Sequence, residues 1–252
     1  MTATRFRLVC FVLAIGVSGA ASIAAQRAPV TVSVHDGVRA TMIARLVDGE
    51  WVSAEPCMTS GGRATTLPVS ERLTVTGDIP VQAVRAVGPG TKEWVRLTPT
   101  IMALLERREQ EQRLTTDAVV SAPRVVDWIY ATEGNGAPTY YFEASRRVAD
   151  AYTDVDADTD PPGTLRIAVA GFLRDSAEGL TSLGTKSELR WEQDGLPAGP
   201  SRADLTPLGV LPRSDRSVWV MKGHSGARTW FSFYEVAAGR TRTLLTTRPA
   251  RC

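Results

Sequence analysis

Cysteine and histidine are scarce in this chain. Its 252 residues hold 3 Cys and 2 His, which leaves little material for a His/Cys metal site. Lysine occurs only at Lys92, Lys186 and Lys222, so nearly all of the 29 basic side chains are arginine. An excess of one charge is also missing, because those 29 face 27 Asp and Glu. Without a basic surplus, nucleic acid is not expected as a partner. There is no glycine-rich phosphate loop and no dinucleotide fingerprint. Strands and helices do not alternate in the rhythm of a doubly wound sheet. What is present, 43% hydrophobic and 22% charged residues, excludes collagen-like, low-complexity and mostly disordered chains. The length suits one large β-rich domain or two small ones.

The N-terminus carries the clearest pattern. Arg5 and Arg7 precede an apolar run over residues 8–17, followed by small residues up to Ala25. A positive start, an apolar core and a small-residue stretch, in that order, read as a secretory signal peptide. Signal cleavage needs small residues at −1 and −3. Ala25 meets the first, Ile23 meets the second imperfectly, and the chain turns polar at Gln26. The cut is therefore expected between Ala25 and Gln26, with Ser18 and Ala20 marking an earlier alternative. Residues 8–25 are near the lower length limit for a bilayer span, so an uncleaved anchor is the competing reading and the only membrane contact expected. Cys10 sits inside the apolar run, with Arg7, Leu8 and Val9 before it rather than a small-residue lipobox. Export to the periplasm or the cell exterior follows on either reading. Loss of residues 1–25 removes Arg5 and Arg7 and no acid, leaving the charges balanced.

Two cysteines remain, Cys57 and Cys252. In an oxidising compartment an even pair suggests a disulfide. Closing so long a loop is worth at most about 5 kcal/mol by the chain-entropy argument. Two free thiols, or an intermolecular bond through Cys252, are the alternatives. The arginine-rich composition fits bidentate carboxylate pairing, with many surface ion pairs that each contribute little.

The mature chain reads as mainly β. Residues 39–47 alternate apolar and polar, Asp48-Gly49 follows, and 50–53 resume the pattern. Asp-Gly between two such runs predicts a hairpin with a type I′ turn. Further strands are expected over 73–76, 81–87, 93–97 (after the Gly88-Pro89-Gly90 turn), 125–130, 139–144, 165–174, 187–191, 205–211, 217–221, 229–236 and 241–246. Trp230, Phe231, Phe233 and Tyr234 are apolar on both faces, as a central buried strand requires. One amphipathic helix is expected near 98–113. Thr98 would cap it, Pro99 would sit in its first turn, and Ile101, Met102, Leu104 and Leu105 would form its apolar stripe. The charged run over 106–113 is expected on its solvated end. The fold class is an antiparallel β-sandwich or an open barrel or meander, with a partial propeller-like arrangement as the alternative. Leu180-Thr-Ser-Leu-Gly184 faintly echoes Leu205-Thr-Pro-Leu-Gly209, too briefly to establish a repeat. Residues 26–115 form an N-terminal β-rich part ending in the helix, and 116–252 a C-terminal antiparallel part. The two parts can also make one domain.

Candidate chemistry is thin. Gly223-His224-Ser225-Gly226-Ala227 resembles a nucleophile elbow, but an elbow needs a strand-to-helix turn. Both flanks here are strand-like, so a hairpin loop is expected. Asp154, Asp156, Asp158 and Asp160 alternate as in calcium loops. Thr159, however, stands where an EF-hand loop has Gly, and Leu165 where it has Glu. His35 beside Asp36 makes no dyad, because neighbours in a strand point opposite ways. Glu133 and Glu143 are acids with no separation readable from sequence. The Trp residues at 51, 94, 128, 191, 219 and 230 are expected in cores, with an exposed sugar-binding row as the minority reading. No catalytic residue, metal ligand or cofactor site is assigned. The expected function is a non-catalytic, exported β-rich module that binds or scaffolds an envelope or extracellular ligand. A secreted hydrolase using a carboxylate pair or Ser225, and a calcium-stabilised module using 154–160, are the alternatives.

Overall fold

The structure is a computed structural model. It describes residues 29–35, 37, 39–54, 71–77, 79–112, 121–133, 137–149, 163–193, 205–213, 215–225 and 228–247. Ala25, Gln26, Cys57, Cys252 and the 154–160 run lie outside these residues.

The N-terminal sheet contains β1 (Val30–His35), β2 (Ala40–Val47), β3 (Glu50–Ser53) and β4 (Arg72–Thr76), in the order β3-β2-β1-β4. The expected hairpin joins β2 to β3. Asp48 has φ 50° and Gly49 φ 86°, the two positive values that a type I′ turn needs and that Asp and Gly tolerate. β1 adds a strand that the sequence reading left out. Its Val30, Val32 and Val34 alternate with Thr31, Ser33 and His35 in the period of a half-buried strand.

The chain then passes through β5 (Val84–Ala86), α1 (Lys92–Glu111), β6 (Arg124–Thr132), β7 (Thr139–Ala149), β8 (Gly163–Ser176) and β9 (Gly179–Gln193). β5 to β9 pair in sequence order as one antiparallel sheet. This sheet takes β5 from before residue 115 and the rest from after it. β10 (Leu205–Pro212), β11 (Arg216–Ser225), β12 (Arg228–Ala237) and β13 (Arg240–Thr246) form a third sheet, also a meander.

The sheets stack face to face, with the β10–β13 sheet in the middle. Val218, Val220, Phe231 and Phe233 on one of its faces pack against Val32, Ile43, Trp51 and Leu73 of the N-terminal sheet. Trp219, Met221, Tyr234 and Val236 on the other face pack against Tyr141, Ala168, Ala170 and Phe172. The far side of the β5–β9 sheet is covered by Leu97, Ile101 and Leu105 of α1, which meet Ile129, Phe142 and Val169. The architecture is therefore sheet, sheet, sheet, helix, mainly β and not a closed barrel. Alternate residues of a strand point to opposite faces, so β12 is buried on both, as its aromatic run requires.

The helix differs from expectation. It runs over Lys92–Glu111 rather than 98–113, and Thr91 caps it by accepting a hydrogen bond from the Trp94 amide at 3.2 Å. Thr98 and Pro99 lie inside it. The proline deprives the Val95 carbonyl of its helical donor, but Val95 and Pro99 are on the exposed face, where water can replace that bond. Thr98 turns its hydroxyl onto the Trp94 carbonyl at 2.8 Å. The sequence 93–97 thus belongs to a helix whose true stripe is Leu97, Ile101, Leu105 and Glu109. The run expected over 81–87 shrinks to β5 and a single bridge between Gln82 and Val210. β9 is far longer than 187–191, because it follows β8 along its length through a bulge at Phe172 and Leu173.

The edges of the stack are aligned. β3, β13 and β9 end the three sheets on one side, and β4, β10 and β5 end them on the other.

Candidate functional site

A polar concavity opens where β3 and β13 face each other at the edge of two sheets. It is a cleft of about 320 Å³, lined by Glu50, Trp51, Arg213, Arg216, Glu235 and Arg242 among others. Each wall follows from local structure. Arg213 and Arg216 flank the β10–β11 turn, closed by a 2.8 Å hydrogen bond from the Arg213 amide to the Arg216 carbonyl. Arg242 lies directly opposite Glu235 in the β12–β13 register, and Arg216 lies diagonally across from it on β11. Trp51, on β3, closes the inner end and rests on Phe233 with ring centroids 5.1 Å apart.

Glu235 organises the cleft. It is 4% exposed, and its two carboxylate oxygens each accept a hydrogen bond at 2.8 Å, one from Arg216 Nη1 and the other from Arg242 Nε. Burial by itself would raise this carboxyl. The hydrogen bond and charge of Arg242, with those of Arg216, outweigh it and hold the group below the ordinary glutamate value. Glu235 therefore stays ionised and fixes the two guanidinium groups. Arg216 Nε is 3.8 Å from exposed Asp215. Arg213 has no ion-pair partner among the described residues. Three guanidinium groups thus converge on a space that holds two carboxylates of its own, Glu50 and Glu235. Guanidinium forks match carboxylates and phosphates geometrically.

A second buried carboxylate has a different role. Glu109, 3% exposed, takes Arg124 at 3.1 and 2.8 Å and Arg146 at 3.3 Å. Arg146 is itself buried. Burial lowers its pKa, against the opposing charge of Glu109. This cluster ties α1 to β6 and β7, and no cavity opens on it among those described. It corrects the expectation that the charges over 106–113 lie wholly on a wet face. Glu109 falls on the core stripe, four residues after Leu105.

The residues singled out from sequence are dispersed. The backbones of His224 and Ser225 end β11 in a hairpin, paired with Thr229 and Arg228. The strand continues into another strand, not into a helix. His35 Nδ1 accepts the Gly37 amide at 3.0 Å, a local turn contact. Glu143 is buried opposite Trp128, where it accepts from Tyr141 Oη at 2.5 Å and from the Leu205 amide at 3.0 Å. Glu133 lies exposed five residues further along the chain from Trp128, so these two acids do not converge. Trp51 and Trp219 are core residues, Trp94 and Trp230 pack against cores, and Trp128 is 57% exposed. Among the described residues no cluster of three or more His, Cys, Asp or Glu could hold a metal ion, and no helix is long and apolar enough to cross a membrane.

Nothing in the sequence pattern marks the cleft, because Arg216 and Arg242 meet Glu235 only through strand register, and Glu50 and Trp51 join them only through the packing of β3 on β13. One signal was readable. Glu235 follows a run with aromatic residues on both faces of its strand, and a buried charge needs a partner. Comparison with protein-family profiles, with curated proteins and with solved structures gives no significant match, so the reading of the site rests on its geometry.

Proposed function

We propose that the protein is an exported binding module that holds a carboxylate-bearing ligand in the cleft between β3 and β13. One observation carries this reading. Arg213, with no ion-pair partner among the described residues, shares the cleft with two guanidinium groups that Glu235 holds in place. A site preorganised in this way loses little side-chain entropy when a ligand arrives. Ionic contacts at an exposed rim are screened by salt, so binding weakens as ionic strength rises.

The test is calorimetric titration with succinate at low salt. Saturable binding is expected, weakened at least tenfold by Arg213→Gln, with the melting temperature unchanged because Arg213 supports no other described group. An unchanged affinity in Arg213→Gln, or no saturable binding at all, overturns the reading.

Export and the disulfide belong to the same proposal. Cys57 and Cys252 lie outside the described residues, so the expected disulfide rests on the even pair of thiols in an oxidising compartment. Intact mass of the protein exported from a bacterial host should show a chain beginning at Gln26 and two hydrogens lighter than its reduced form. A retained N-terminus would instead support the uncleaved anchor.

A further inference from the structure

Among the described residues the stack is closed on one side and open on the other. On the closed side, Gln82 and Val210 exchange backbone hydrogen bonds of 2.8 and 3.0 Å over the edge of β10. Val81 packs so closely there that a Cβ on Gly209 would come within 3.1 Å of it. On the open side, the backbone of β13 pairs with β12 alone among the described residues. An edge of seven residues, roughly 24 Å at 3.4 Å per residue, is a template for another extended chain.

Charge decides what that chain can be. Arg242 of β13 lines the cleft with Arg213 and Arg216. Lys186 of β9 reaches Thr243 at 3.0 Å from the other side. A second copy paired through β13 would bring a strand that holds Arg240 and Arg242 and no acid, so it offers the cleft no carboxylate. An acidic segment meets the opposite situation: its backbone completes the edge while a side-chain carboxylate enters the cleft. Backbone pairing with alternate side chains read by pockets is a recurring mode of peptide recognition.

We propose that β13 receives an extended acidic segment of a partner protein as an added strand, with one of its carboxylates seated among Arg213, Arg216 and Arg242. This rests on the anion-binding reading of the cleft. The probes are three capped hexapeptides: one alternating valine and glutamate, the same sequence methylated at every backbone nitrogen, and one alternating valine and lysine. The unmethylated glutamate peptide should bind, the other two at least tenfold more weakly, and Arg213→Gln should weaken the first. Hydrogen exchange at the backbone amides of 240–246 should slow in the complex. If succinate binds but the methylated and unmethylated glutamate peptides bind equally, strand addition fails and the cleft reading stands. If neither succinate nor the glutamate peptide binds, both fail. Slow exchange over 240–246 in a concentration-dependent dimer without peptide also overturns the proposal, because the edge then belongs to a second copy.

Discussion

Glu109→Ala is expected to destabilise the protein by about 3–5 kcal/mol, the range for stripping one partner from a buried ion pair. The carboxylate is almost wholly enclosed, and so is Arg146, whose side chain is 5% exposed and lies 3.3 Å from it. Without Glu109, Arg146 keeps its charge in a site that already disfavours it, while Arg124 is exposed enough to turn to water. The loss corresponds to roughly 6–20 °C in melting temperature for a chain of this size. Glu106 provides the control. It is 3.6 Å from Arg124 and half exposed, so Glu106→Ala should cost well under 1 kcal/mol. The double change Glu109→Leu with Arg146→Met should recover most of the loss, because apolar residues of similar volume often replace a buried pair at no cost. Urea unfolding of the four proteins decides this, and a loss below about 1 kcal/mol for Glu109→Ala would show that the cluster does not hold the helix down.

The second large effect belongs to Trp219. It is fully buried in the middle sheet and meets Phe172 edge-on, with centroids 5.3 Å apart and planes at 62°. Phe172 in turn touches Tyr141 and Tyr234 at 5.4 and 6.0 Å, so these rings form the joint between two sheets. Trp219→Ala removes the indole and leaves a cavity that closely packed strands cannot close, a cost of about 3–5 kcal/mol. Trp219→Phe behaves differently. The indole Nε1–H has no acceptor among the described residues, and deleting a buried unsatisfied donor returns free energy. The phenylalanine variant is therefore expected within about 1.5 kcal/mol of the wild type, the usual range for near-isosteric core changes. Equal losses for Ala and Phe would mean that the indole nitrogen, not ring volume, holds the joint.

These effects also show which parts of the molecule were readable from its sequence. The β2–β3 hairpin was, because Asp48-Gly49 has one favourable backbone solution between alternating runs. So was the burial of β12, because aromatics on both faces leave it no solvent side. The helix was legible in its middle and not at its start. Thr98-Pro99 is a good local beginning, but burial of Leu97 and Trp94 against the sheet outweighs one lost backbone bond on an exposed face. Glu109 was misread for a related reason. Its neighbours in the run are all polar, and only its angular position, four residues beyond Leu105, places it in the core.

By itself the sequence determined that the chain is mainly antiparallel β with an amphipathic helix between its strands, and where most strands fall, because strand period and turn chemistry are local properties. The tertiary structure alone decided that three sheets stack in line, that β13 pairs with β12 alone among the described residues, and that Arg213, Arg216 and Arg242 share one cleft with Glu235. Those outcomes depend on strand register and on which sheet faces meet. Register and facing are set by side chains up to two hundred residues apart in sequence, where no local pattern records them.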